Sequence, residues 1–412
     1  MGLGWRWVGA VVGSIVGVVP LMLAATAGAA TVTAAEGPLF KSPGLRYASA
    51  TVEAQPDEAN RLSISVTGDP GHYLLQVRDA AGPLQAGSGC EGGGAGNAVV
   101  TCAMSVQPGS VTVILGNRGS AVDAGSLSSA VYVWGGSGDD LVTTGSGSDA
   151  FFPTRCGPNT LPVLQCDPEL GDGDTGTDHV STGAGDDFVE LGNRPSEVRT
   201  GPDNDRVIVP EAPNGPDLID LGAGDGDVAD YHLRNEAVTY VADGLADDGA
   251  AGENDNVLGA EFFATGAGKD LLIGDGDSDY LFGGGGDDTL VGKGGDDLLV
   301  GEYGEEDNLG FVAGVDVTRF WSSYPTPFDL DVEAGNDTAR GGSGDDRLRL
   351  DGGDDTGMGG PGADRIWGDA GGDLLLGRRG RNWLDGDGGH DRCRGGSRRS
   401  IVLNCDDQRR LG

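Results

Sequence analysis

Residues Thr265–Val300 read TGAGKDLLI GDGDSDYLF GGGGDDTLV GKGGDDLLV, four consecutive units of nine residues. Each unit opens on a glycine-rich half, places an aspartate sixth (Asp270, Asp279, Asp288, Asp297) and an apolar residue eighth (Leu272, Leu281, Leu290, Leu299). The glycine half suits a tight turn, because adjacent glycines tolerate left-handed backbone and close approach. The remaining three residues suit a short strand with its central side chain turned inward. Two units then make a coil of eighteen residues, with turns on opposite edges, and unit n stacks on unit n+2. That arithmetic sets Asp270 beside Asp288, Asp279 beside Asp297, Asp337 beside Asp355, Asp346 beside Asp364 and Asp373 beside Asp391.

The same frame recurs on both sides. Gly135–Thr143 and Thr144–Phe152 put Asp140 and Asp149 sixth, and four frames from Gly173 to Ile208 carry Asp178, Asp187 and Asp205, with Ser196 in the degenerate one. Looser units hold Asp217 and Asp255. From about Val332 to Arg394 the sixth residues are Asp337, Asp346, Asp355, Asp364, Asp373, Asn382 and Asp391.

The chain has 412 residues, 78 of them glycine, with 65 acidic and 27 basic residues for a net charge of −38. Glycine at every third position is absent, which excludes collagen. The acidic balance excludes a sequence-blind nucleic-acid binder. Stacked carboxylates without a cation repel one another, so a folded array needs a counter-charge. Calcium suits it: a hard ion taking six to eight oxygens at about 2.3–2.6 Å. Magnesium demands tighter octahedral geometry, and zinc lacks His and Cys ligands here.

The glycine- and aspartate-rich nonad GGxGxDxUx resembles the RTX, or haemolysin-type, calcium-binding repeat over most of residues 135–403, in the manner of secreted actinobacterial members. The resemblance implies an all-β chain in which a small β-sandwich-like domain precedes parallel β-roll arrays. It implies several calcium ions, about ten by order of magnitude, shared between Asp side chains and turn carbonyls. The expected metal residues are Asp140, Asp149, Asp178, Asp187, Asp205, Asp270, Asp279, Asp288, Asp297, Asp337, Asp346, Asp355, Asp364, Asp373 and Asp391. It also implies that Glu236 to Val257 is an insertion between arrays and that Cys393 and Cys405 form a C-terminal disulfide end.

The domain reading is a leader over 1–35, a small β domain over 36–134, repeats with a disulfide loop over 135–228, an insertion over 229–264, an array over 265–300, an aromatic-rich insertion over 301–331, and an array with a C-terminal cap over 332–412. Arg6, the apolar run Val8 to Ala25 and an alanine-rich exit read as a secretory signal cut between Ala27 and Ala35; a single membrane anchor is the competing reading. Alternating apolar residues in Arg61–Thr67 predict a strand burying Leu62, Ile64 and Val66. Six cysteines in three local pairs, Cys90 with Cys102, Cys156 with Cys166 and Cys393 with Cys405, suit an oxidising compartment, with a metal-thiolate site as the alternative. His72 reads as a surface residue, and His179, His232 and His390 are scattered.

Two functions compete. One is a secreted, non-enzymatic calcium-binding protein with a structural or adhesive role outside the cell or at its surface, partnered by calcium and by cell-envelope or matrix components, with no nucleic acid and no membrane span in the mature chain. The other is the secretion module of an unrecognised hydrolase or toxin. No HExxH or GxSxG motif occurs, which favours the first.

Overall fold

The computed structural model describes residues 29–39, 42–136, 138–153, 176–301 and 335–409. Residues 1–28 of the expected leader, the loop with Cys156 and Cys166, and the aromatic-rich insertion from Glu302 onward lie outside the described residues, while the end of the expected 1–35 leader, from Ala30, belongs to the first strand. The described elements are all β.

Successive repeat strands alternate between sheets, and each pairs in parallel with the strand two units away. Leu271–Ile273 pairs with Thr289–Gly294, and Tyr280–Phe282 with Leu298–Val300, both in register. One long sheet of 16 strands runs from Leu84–Ala86 near the N-terminus to Ile401–Leu403. Its companions are a 10-stranded sheet ending at Asn256–Leu258 and a 9-stranded sheet that takes over from Val238–Val241. All three sheets share one core. The eighth residue of each unit supplies it: Val142, Phe151, Val180, Val189, Val207, Phe263, Leu272, Leu281, Leu290, Leu299, Leu348, Ile366, Leu375 and Leu384 are all buried.

The N-terminal segment is built differently. Ala30–Leu39 and Ser42–Glu53 run antiparallel, as do Arg61–Asp69, His72–Asp79 and Val99–Met104. Leu62 and Ile64 are buried and Val66 is half-buried. Cys90 and Cys102 are disulfide-bonded, as are Cys393 and Cys405. Parallel pairing starts well before residue 134. Ser42–Glu53 pairs with Ser110–Ile114, which pairs with Ala130–Trp134, which pairs with Ala150–Phe152. The antiparallel segment therefore passes its strand edges at Ser42–Glu53 and Arg61–Asp69 to the first parallel strands, and the two sheets end on Leu84–Ala86 and Glu91–Gly92.

The insertions do not interrupt the ladders. Thr289–Gly294 pairs with Thr338–Ser343, and Leu298–Val300 with Arg347–Arg349, so the strands before residue 302 stack directly on those after 335. Within 229–264, Val228–Asp230 pairs with Phe262–Ala264 in the long sheet. A hairpin of Val238–Val241 with Gly249–Ala250 opens the third sheet. Among the described residues no helix is long and apolar enough to cross a membrane.

Candidate metal centres

All fifteen aspartates expected from the repeat are at most 4% exposed. They stand in columns along the edges where turn meets strand. Along the long sheet the sixth-position residues are Asp149, Asp187, Asp205, Asp227, Glu261, Asp279, Asp297, Asp346, Asp364, Asn382 and Ser400. Along the third sheet they are Asp270, Asp288, Asp337, Asp355, Asp373 and Asp391. Asp140 and Asp178 begin the column of the second sheet, which continues through Ser196, Asp217 and Asp255.

A single contact repeats down each column. The backbone N–H of one sixth residue donates to Oδ1 of the next: Asp270 to Asp288 at 2.8 Å, Asp279 to Asp297 at 3.0 Å, Asp337 to Asp355 at 2.7 Å, Asp373 to Asp391 at 3.0 Å. The contact is unchanged where the partners are 38 residues apart, from Asp140 to Asp178 and from Asp149 to Asp187. The other oxygen is turned elsewhere. Oδ2 of Asp297, Asp346, Asp364 and Asp373 is buried and accepts no hydrogen bond.

That second oxygen explains the glycine that opens many of the units. A Cβ on Gly292, Gly341, Gly359 or Gly368 would collide with Oδ2 of the aspartate five residues later. The fourth glycine has a separate reason. Gly286 has φ +116°, and a side chain there would strike the carbonyl of Gly268 in the neighbouring coil.

Burial disfavours the charged form of these carboxyls, and neighbouring aspartates add to the effect. Asp297, Asp364 and Asp373 are pushed up to about 7, and Asp346 and Asp279 to about 6, mainly by burial. Earlier in the chain Asp187 rises to about 7 and Asp205 to about 8, for the same cause. Such columns hold protons or bind a hard cation. Among the described residues no three His, Cys, Asp or Glu side chains converge on one point. The oxygens available at each step are therefore carboxylates in sequence along the column, together with backbone carbonyls of the turns.

Two acidic column members escaped the sequence reading. Asp227 is fully buried, and its Oδ1 accepts the N–H of Asp205 at 2.8 Å. Its unit, Gly222-Ala223-Gly224-Asp225-Gly226-Asp227-Val228-Ala229-Asp230, has the full pattern and was legible. Glu261 accepts the N–H of Asp227 at 2.9 Å and is followed two places on by Phe263 of the core. Its unit lacks the glycine head, so the frame alone did not reveal it.

Where the second sheet ends, the positive charge is the protein's own. Arg234, 1% exposed, donates to Glu253 Oε1 at 2.7 Å. It also lies near enough to Asp217 to favour its charged form, although burial still raises Asp217 to about 7. Tyr231 donates to Asp255 Oδ2 at 2.8 Å. Nearby Asp230, fully buried, meets Arg206 and sits 2.6 Å from His232 Nδ1. Burial opposes its ionisation, but the charges of His232 and Arg206 prevail and hold it well below the usual carboxylate range. The other histidines are remote from one another in role. His72 is exposed, His179 pairs with Glu197 at 3.0 Å and His390 with Asp406 at 2.9 Å, both on the surface.

The RTX calcium-binding nonapeptide repeat (4 copies) matches the chain at residues 128–151, 172–193, 255–290, 264–299, 282–305, 331–366 and 367–397. No curated protein matches it. These matches take in most of the buried column aspartates, though not Asp205, Asp217 or Asp227, and the chain thus carries RTX-type calcium-binding repeats.

Proposed function

We propose that the chain is a secreted, non-enzymatic calcium-binding protein with a structural or adhesive role outside the cell, and that its repeats form parallel β-rolls ordered by calcium. The observation that carries this reading is the buried column in which each carboxylate commits Oδ1 to a backbone N–H while Oδ2 of Asp297, Asp346, Asp364 and Asp373 has no donor. A buried, unpaired carboxylate oxygen is costly; a hard cation satisfies it, and an all-oxygen set suits calcium.

The proposed ligands are Asp140, Asp149, Asp178, Asp187, Asp205, Asp270, Asp279, Asp288, Asp297, Asp337, Asp346, Asp355, Asp364, Asp373 and Asp391. Asp227 and Glu261 join them by their place in the long column. Bound calcium supplies positive charge and cross-links neighbouring coils; the chain's residues supply spacing and burial. In chelator the repeats are acidic, glycine-rich and poorly folded, and calcium outside the cell folds them.

Export agrees with the N-terminal pattern. The first strand begins at Ala30, and Ala30 and Val32 are buried, so a cut after Ala27 or Ala29 leaves that strand whole.

The test is far-UV circular dichroism of the full mature chain, titrated with calcium and separately with magnesium. The expected result is a cooperative gain of strand signal with calcium alone. Full strand signal in chelator, or an equal response to magnesium, overturns the reading.

A further inference from the structure

The last repeats carry a second feature on the outer face of the long sheet. Strand register sets Arg347 beside Arg365, Arg365 beside Trp383, and Trp383 beside Ile401. The adjoining column sets Arg349 beside Trp367. Trp367 and Trp383 meet diagonally, ring centres 5.0 Å apart and planes at 56°. With Arg365, Arg381 and Ile401 they line an open groove of about 440 Å³, with Asp364 and Asn382 of the metal column also lining it.

The charge around the groove is unlike that of the rest of the chain. Residues 335–412 hold 13 of the 27 basic residues and only 14 of the 65 acidic ones. Six of those 14, Asp337, Asp346, Asp355, Asp364, Asp373 and Asp391, are buried in the columns. Arg349 is engaged by Asp351 and Asp369. Arg365 and Arg381 are exposed and join no ion pair among the described residues. A pair of half-exposed indoles flanked by unpaired guanidinium groups is a surface seeking a partner, since exposed aromatic patches rimmed by charge mark interaction sites.

We propose that this groove binds an anionic polysaccharide. The apolar faces of sugar rings pack on the indoles, and Arg365 and Arg381 pair with the carboxylate or sulfate groups through their forked donors. A glycan with spaced charges also suffers less repulsion from the acidic remainder of the chain than nucleic acid, with about one charge per 1.7 Å of duplex. The proposal rests on the calcium reading, because calcium beneath the groove cancels the charge of the Asp364 column.

The experiment titrates the calcium-loaded full mature chain with chondroitin sulfate, following tryptophan fluorescence, with dextran and single-stranded DNA as comparison polymers. Circular dichroism is recorded on the same samples. The expected result is saturable quenching by chondroitin sulfate alone, weakened by added salt. Affinity should drop roughly tenfold in Trp383→Ala and in the Arg365→Gln/Arg381→Gln double variant, and should hold in Arg194→Gln. Trp383→Phe, which keeps an aromatic ring at the position, should fall between. Absence of quenching in a chain that gains strand signal with calcium overturns the groove and leaves the metal reading standing; absence of the calcium response overturns the metal reading. Equal binding of dextran, equal binding of DNA, or unchanged affinity in the two groove variants also overturns the proposal.

Discussion

The backbone N–H of Asp297 donates to Oδ1 of Asp346 at 3.1 Å, across 49 residues of chain. Elsewhere in the array the same bond spans 18 residues, as from Asp279 to Asp297. The excess, 49 less 18, is 31 residues, and it is accommodated without a change in the column. Deleting 31 residues between Gly301 and Gly335 should therefore leave the calcium-induced circular dichroism of the full chain intact, with a midpoint within about twofold of the parent. Loss of the calcium response would show that the insertion is needed to join the two arrays.

Asp297→Asn keeps the shape and an acceptor oxygen but removes one charge from the column. Calcium binding should weaken by about tenfold at the affected step, roughly 1.4 kcal/mol, and the folding transition should broaden. Asn382 occupies the equivalent place two units beyond Asp346's partner Asp364, so Asn itself is sterically acceptable there. Isothermal titration with calcium checks this; an unchanged isotherm argues against Asp297 as a ligand.

Gly292→Ala and Gly276→Ala form a matched pair. A Cβ at Gly292 runs into Oδ2 of Asp297, whereas at Gly276 it meets nothing within 4 Å. The first should shift the calcium midpoint upward several-fold or abolish the transition, through steric displacement of the carboxylate. The second should be near neutral. Equal behaviour of the two variants in a calcium titration would contradict the packing of Oδ2 against the first glycine.

Proton and calcium should compete. Burial raises Asp297, Asp364 and Asp373 to about 7 in the metal-free fold, against an ordinary value of 3.8. A carboxyl raised in the fold favours folding fully below its unfolded value, and that contribution is lost as pH rises through the folded one, here from about 4 to about 7. In chelator, strand signal should thus grow on acidification from pH 7.5 to 5, as far as net charge allows. Calcium affinity should move the other way, falling over the same range, with protons released on binding. Titrations at several pH values, together with proton release in weak buffer, would detect a pH-independent affinity that contradicts the scheme.

Arg234→Met should destabilise the calcium-loaded chain by about 3–5 kcal/mol, since Glu253 is left buried and charged without its partner. Urea unfolding monitored by fluorescence provides the measure. A change below about 1 kcal/mol would mean that Arg234 is dispensable where the second sheet ends.

The nonad was determined by sequence alone. Sixth-place aspartate and eighth-place leucine or valine repeat within nine residues, and a three-residue strand needs no more than that to set which side chain turns inward. The neighbours Asp270 and Asp288 followed from counting two units. Counting fails wherever the spacing changes. That Asp288 adjoins Asp337, that Glu261 fills a column place without a glycine turn, and that Ser42–Glu53 pairs with the first parallel strands all depend on which distant edges meet. The same holds for Arg234 beside Glu253. Residue spacing encodes local turns, whereas hydrogen-bond register between distant strands is selected by the packing of a shared core, and that selection exists only in the folded chain.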